Sequence, residues 1–300
     1  MADRRLQVFH AVAKQLSFTK AAETLFMTQP AVTFQIKQLE EHFSTRLFER
    51  GHGRISLTPA GEVALEYAER ILALSAELDT RLREMTGRLS GPLLIGASTT
   101  IAEFLLPRVL GEFKSVHPDV QPKMAVGNSE TIENRVAEHT LDIGLIETPS
   151  HLPALLTEVC CADELQVIVS PKHALARLKS VAPRQLVSYP YVSRESGSGT
   201  REFTDLYFRR AGINPAELNV VMELGSPEAL KGVVGTGLGF AIMSRATVAK
   251  EQRLGDLVAL PLVPRLIREL SLVYPKEKFR SRLVNTFVEF TKLRLKAAIG

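Results

Sequence analysis

The residues best equipped for recognition chemistry lie close together near the amino terminus: Gln29, Thr33, Phe34 and Lys37, followed by Arg46, Arg50 and Arg54. An amide, a hydroxyl and an ammonium group at helical spacing can address base edges. Arginines set beside the apolar pairs Leu47-Phe48 and Ile55-Leu57 suit a two-stranded wing that meets phosphates. A second group is rich in hydroxyls and glycines: Gly96-Ala97-Ser98-Thr99-Thr100, and, a hundred residues on, Ser196-Gly197-Ser198-Gly199-Thr200-Arg201. Each leads into a helical pattern, and free N–H groups, a helix dipole and hydroxyl donors together favour an oxyanion.

Local elements must hold the first group in place. Leu6, Phe9, Val12, Ala13 and Leu16 keep one apolar face at helical spacing, Ser17 or Thr19 can cap a short helix carrying Ala21, Ala22 and Leu25, and Thr28 can cap a third that opens Gln29-Pro30. Proline in a first turn removes an N–H that would be unpaired anyway. Val32, Ile36, Leu39 and Phe43 form the stripe predicted to face the core, leaving Gln29, Thr33, Phe34 and Lys37 on the other side. Short helix pairs with polar outer faces also occur in proteins that bind no nucleic acid; the arginine-bearing wing is what points to DNA.

The run SFTKAAETLFMTQPAVTFQIKQLE, with LFER and LTPAG behind it, resembles the winged helix-turn-helix signature of the LysR-type transcriptional regulators, closely over the first sixty or so residues and more loosely beyond. The resemblance implies contacts to an operator duplex by Thr28, Gln29, Pro30, Thr33, Phe34, Lys37, Arg50 and Arg54, with RNA polymerase as a further partner. Phe34 departs from the pattern, since many members carry a polar or basic residue there. It can press on a thymine methyl or pack against the wing.

At 300 residues, 45% hydrophobic and 23% charged, the chain has material for two or three cores, and disorder is not indicated. Residues 1–58 hold eight Lys/Arg against five acids, an excess too small to argue for nucleic acid by itself, so the position of charge counts for more. The start of the chain does not read as a signal peptide, and the longest uncharged stretch, from Gly232 to Arg245, is too short and glycine-rich for a bilayer; a cytoplasmic protein with no membrane partner is expected. The adjacent Cys160 and Cys161 read as reduced packing residues on a strand.

Thr58-Pro59-Ala60-Gly61 opens a long helix with apolar residues Ala64, Tyr67, Ile71, Leu74, Leu78, Leu82 and Met85 spaced by threes and fours. About thirty residues reach roughly 45 Å, and such a seam is expected to pair with a second copy, giving a homodimer or tetramer. Gly87, Gly91 and Pro92 are expected to end it as a hinge. Short apolar runs then alternate with helical patterns, which predicts parallel sheets in two lobes, the first about 91–147 and 267–300, the second about 148–266.

The expected architecture is therefore α/β: a winged helix-turn-helix domain over 1–58, a linker and dimerisation helix with hinge over 59–90, and a two-lobed effector domain over 91–300 that resembles the periplasmic-binding-protein-like domain of the same family. Ligands of open α/β sheets sit at strand carboxyl ends against helix N-termini. STTIAEFLLP, GNSETI and SGSGTRE look most like the subgroup that senses small inorganic or metabolic anions in sulfur assimilation, sulfite response and carbon fixation. That resemblance implies a small anionic effector such as sulfate or sulfite on Ser98, Thr99, Thr100, Asn128, Thr148, Ser196, Gly197, Ser198, Gly199, Thr200 and Arg201. Glu147, Glu195 and Glu202 would repel an anion unless Arg194 or Arg201 offsets them, or they form interlobe pairs.

Catalytic readings fare poorly. The seven histidines lack HExxH spacing, Gly197-Ser198-Gly199 lacks the GxSxG elbow, and Gly235, Gly237 and Gly239 miss the dinucleotide fingerprint. Ser17-Phe18-Thr19-Lys20 has SxxK spacing but falls in the recognition helices. No catalytic residue, metal or cofactor is assigned. The rival reading is a cytoplasmic solute-binding protein or enzyme whose amino-terminal segment serves only assembly.

Overall fold

A computed structural model of the chain describes residues 3–51, 54–84, 89–276 and 280–299. It divides into two compact units, Met1–Arg88 and Leu89–Gly300.

The first unit runs α1 (Arg4–Gln15), α2 (Phe18–Thr24), α3 (Gln29–Phe43), the antiparallel strands β1 (Phe48–Gly51) and β2 (Arg54–Leu57), and α4 (Pro59–Glu84). Ser17 Oγ accepts from Lys20 N and Thr28 Oγ1 from Ala31 N, so both caps form where the sequence places them. Val8, Phe9, Val12, Ala21, Val32, Ile36, Leu39, Leu47 and Phe48 close the core, Phe48 meeting Phe9 at 5.4 Å and Phe18 at 5.8 Å between ring centroids. Two residues expected inside are not. Leu16 is the left-handed cap of α1 and Phe43 the last residue of α3, and each is half exposed because the helix ends before its side chain can turn inward.

Thr58 caps α4, accepting from Gly61 N at 2.9 Å while donating to the Arg46 carbonyl at 2.8 Å. Gly61 is obligatory: a Cβ there would lie 2.1 Å from the Leu47 carbonyl oxygen. Ala68 seals α4 to the core, Lys14 pairs with Glu69 at 2.7 Å, and Tyr67, Ile71, Leu74, Leu78 and Leu82 face outward. Met85, Gly87 and Arg88 lie outside the described residues, as do the side chains of Arg50 and Arg54.

The second unit runs β3 (Gly91–Ser98), a π-helical turn (Ile101–Leu105), α5 (Leu106–Val116), β4 (Val120–Gly127), α6 (Ser129–Ala137), β5 (Ile143–Ile146), β6 (Leu155–Val169), α7 (Pro183–Leu186), β7 (Tyr191–Arg194), α8 (Gly199–Arg210), β8 (Val220–Leu224), α9 (Pro227–Gly235), β9 (Phe240–Ser244), α10 (Ala249–Leu254), β10 (Val258–Pro275) and α11 (Arg282–Ile299). Gly91 and Pro92 belong to β3, paired with Val120 and Gln121, so they are strand and not hinge.

The strands join one sheet of order β4-β3-β5-β10-β6-β9-β7-β8. It is mixed where parallel sheets were expected. The outer triplets are parallel within themselves, but β6 and β10 run antiparallel to each other for most of their length and carry the chain between lobes. This also moves the first crossing. Leu155, Cys160 and Cys161 still pack in first-lobe clusters with Ile132, Leu93 and Phe287, because 155–169 is one uninterrupted strand that changes lobes partway along. Both cysteines are free and buried; their mutual contact together with burial pushes the Cys161 thiol up, while the same contact lowers that of Cys160.

Candidate functional site

On α3, Gln29, Phe34 and Lys37 are exposed and Thr33 is half-buried. Gln29 Nε2 donates to Thr33 Oγ1 at 3.1 Å, which pre-orders the amide and hydroxyl as a pair, and Pro30 occupies the first turn. Lys37 leans towards Glu41 at 3.6 Å, a pair open to solvent and readily exchanged for a phosphate. Phe34 is 57% exposed and outside the core cluster, which favours the outward reading over packing. Glu40 Oε1 accepts from Leu47 N and Phe48 N at 2.8 and 3.3 Å, tying the start of the wing to α3.

In the second unit the two hydroxyl-rich helix starts meet, and a protein group lies between them. Glu147, following β5, is buried; its Oε1 accepts from Ser98 Oγ at 3.0 Å, and its Oε2 from Thr200 Oγ1 and Arg268 Nη1, each at 2.7 Å. Thr100 is a further hydrogen-bond partner of this carboxyl. Burial would raise the Glu147 pKa, but Arg268, Thr100, Arg194 and Thr200 outweigh it and hold it at about 2. Arg268 is fully buried, donating to Asp163 Oδ2 from Nε at 2.8 Å, and Asp163 in turn accepts from Ser244 Oγ at 2.6 Å. Burial opposes the Arg268 charge, yet Glu147 and Asp163 raise its pKa above the ordinary value.

The other expected ligand residues have their own places. Arg194 crosses to the first lobe, donating from Nη2 to Thr99 Oγ1 at 2.8 Å while gripping Glu195 at 2.8 and 2.9 Å. Asn128 caps α6 and donates to the Ser196 carbonyl at 3.1 Å, and the Gly197 carbonyl accepts from Glu130 N at 3.3 Å. Thr148 is buried against Gly199, where a Cβ would lie 2.7 Å from Glu147 Cβ. Ser198 Oγ is buried without a hydrogen-bond partner among the described residues. Arg201 touches the edge of this cluster, donating to the Arg194 carbonyl at 3.2 Å, and it pairs with Glu223 and Asp205 and lines a separate groove of about 480 Å³ with Tyr191, Ser193 and Asn219. The space bounded by Thr100, Arg194, Thr200, Ser244 and Thr247 is too narrow for a water molecule. Of the three acids flagged as a caution, Glu147 and Glu195 thus have arginine partners and Glu202 has His151.

Sequence reading missed Arg268 and Asp163. The available signal was a single arginine in the apolar run Leu266–Val273 and a single aspartate beside the Cys160-Cys161 pair, opposite charges that strand register places directly across from each other.

A three-helix core with an exposed amide-bearing helix and a basic wing, together with a two-lobed α/β unit, defines a ligand-binding-domain transcription regulator. Residues 4–62 match the family described as bacterial regulatory helix-turn-helix protein, lysR family, and residues 86–296 the LysR substrate binding domain. The chain belongs to the LysR family of DNA-binding transcriptional regulators; its homologues and structural neighbours are regulators and not enzymes. It is 34% identical over 287 residues to the "Probable RuBisCO transcriptional regulator" of Porphyra purpurea, covering 94% of this chain and 90% of that one, and 33% identical over 288 residues to the Synechocystis protein of the same description, covering 95% and 84%. Among solved structures it is similar to the CcmR regulatory domain of Synechocystis PCC6803 in complex with 2-PG, with TM-score 0.62, 27% identity and coverage of 70% of this chain and 98% of that one. Full-length CbnR complexed with target DNA matches in fold, with TM-score 0.66, 24% identity and coverage of 98% and 100%.

Proposed function

We propose that this regulator works as a homodimer or tetramer in the cytoplasm, reads its operator through α3 and the wing, and changes its DNA occupancy when a small anion enters the cleft between the lobes of its second unit. One observation carries the effector reading: Ser98, Thr200 and Arg268 aim their donors, at 2.7–3.0 Å, at one carboxylate position shielded from water. Donors so arranged form an oxyanion receptor, and each hydrogen bond to a charged acceptor contributes about 1.5–3 kcal/mol. Similarity to RuBisCO regulators and to a regulatory domain in complex with 2-PG supports control of carbon-fixation genes and an effector of that kind. On the DNA side, Gln29 and Thr33 address bases, Phe34 a thymine methyl, and Lys37, Arg50 and Arg54 phosphates. Calorimetry of the full chain with 2-PG, phosphate, sulfate and sulfite tests the effector reading. Binding that weakens tenfold or more in Thr100→Ala and Thr200→Ala is the expected result, and parental affinity in both places the effector elsewhere.

A further inference from the structure

Resting on that reading of the cleft, we propose that Glu147 is its specificity-determining residue: its carboxylate occupies the anion position itself, so an effector must displace it, and doubly charged oxyanions are selected over singly charged ones. The geometry supplies the reason. The hydroxyls of Ser98, Thr100 and Thr200 and the Nη1 of Arg268, the donors that an incoming oxyanion would use at this point, are already given to Glu147, while Arg268 turns its Nε to Asp163. Its backbone is held too, with Glu147 N donating to Ser129 Oγ at 3.3 Å, and Gly199 permits the close approach of α8 to its side chain.

Charge decides how an anion can enter. The cluster contains the buried cations Arg268 and Arg194, the buried carboxylates of Glu147 and Asp163 and the half-buried one of Glu195, so it carries one net negative charge before any ligand arrives. A further anion placed beside an ionised Glu147 meets repulsion in a poorly screened interior. The carboxylate therefore gives up its donors to the newcomer. A monoanion such as acetate or nitrate only replaces like with like, whereas a phosphate or sulfate brings more charge and more acceptor oxygens to the same donors. With its pKa held at about 2, Glu147 does not leave by taking up a proton at neutral pH.

Glu147→Gln is the decisive variant. It keeps the size, leaves Arg268 paired with Asp163, removes the negative charge and halves the acceptor set, the remaining amide oxygen accepting more weakly and the NH2 group accepting nothing, so the clamp is loosened. Calorimetry on the full chain at constant ionic strength would compare parent, Glu147→Gln and Thr200→Ala with sulfate, phosphate, 2-PG, acetate and nitrate. The expected result is acetate and nitrate binding at least tenfold tighter in Glu147→Gln, with the dianion preference reduced by a similar factor. A preference unchanged in Glu147→Gln while Thr200→Ala weakens binding overturns the role of Glu147 and leaves the cleft reading standing. If neither variant alters the affinity for any anion, or neither parent nor Glu147→Gln binds one, both readings fall. Should Glu147→Gln not fold, Glu147→Asp withdraws the carboxylate by one methylene at constant charge; it should bind monoanions more tightly than the parent, and parental selectivity there rejects the proposal.

Discussion

The two units offer polar groups to their partners in opposite ways. On α3, Gln29 and Lys37 stand in solvent with only light, exchangeable contacts to Thr33 and Glu41. In the cleft, Glu147, Thr200, Arg268 and Asp163 are almost wholly removed from water and spend their hydrogen bonds on each other. An exposed donor loses only its hydration when a partner arrives, so it tolerates substitution at little cost to the fold. A buried one is part of the fold's stability, and its partner must outcompete an internal bond.

The sharpest way to break the contrast is Arg268→Met. It leaves Glu147 and Asp163 buried without their shared cation and should destabilise the second unit by about 3–5 kcal/mol in urea denaturation. Gln29→Ala in the same assay should change stability by less than about 0.5 kcal/mol. Equal losses in the two variants would remove the distinction. Next in size is the outward face of α4, where Leu74 and Leu78 are 64% and 53% exposed in the single chain. If a second copy covers them, Leu74→Glu and Leu78→Glu bury unpaired charge and cost several kcal/mol of association. Sedimentation should show monomers with an intact fold; an unchanged mass refutes pairing through this helix.

The same contrast sets what could be read from the chain. The helices and caps of the first unit are local, decided by residues three or four apart, so Ser17, Thr28 and Thr58 could be placed by sequence alone. Reading failed only at helix ends, where Leu16 and Phe43 continue the apolar period after the helix itself has stopped. The cleft is not local. Arg268 meets Glu147 across 121 positions and Asp163 across 105, contacts fixed by the registers of β10 against β5 and against β6 respectively. The hydroxyl-rich helix starts were legible as the two sides of one anion clamp, but that a carboxylate of the chain itself would lie between them depends on how two lobes close.

A smaller effect sharpens the DNA side. Gln29→Ala should lose about 1–3 kcal/mol of discrimination at particular base pairs, while Lys37→Ala weakens all sequences alike and lowers the salt slope by about 1. Mobility shifts over operator variants at several salt concentrations separate the two. Uniform weakening by Gln29→Ala would make it a phosphate contact and leave Phe34 as the base reader on this face.

The smallest expected effect is on pH, and it again divides buried from exposed. His151 Nε2 lies 3.1 Å from Glu202 Oε2, and that hydrogen bond raises the His151 pKa above 6.5. A raised histidine stabilises the fold fully below its ordinary value and loses that contribution as pH climbs through the folded value. Its side chain is 59% exposed, so solvent screening keeps the contribution below about 1 kcal/mol. His10 and His173, whose pKa burial lowers, add slopes of the opposite sign just below 6.5, adjoining the window of His151 above it, so the informative quantity is the parent minus Glu202→Gln. That difference should be present below pH 6.5, fade as the pH climbs above it and shrink in 1 M salt, where the Debye length is about 3 Å. Glu147, lowered from 4.5 to about 2, gives no slope there; its stabilisation is complete above 4.5 and falls away only as the pH drops towards 2. A parent-minus-variant difference that grows with rising pH would show that His151 and Glu202 do not form the pair in solution.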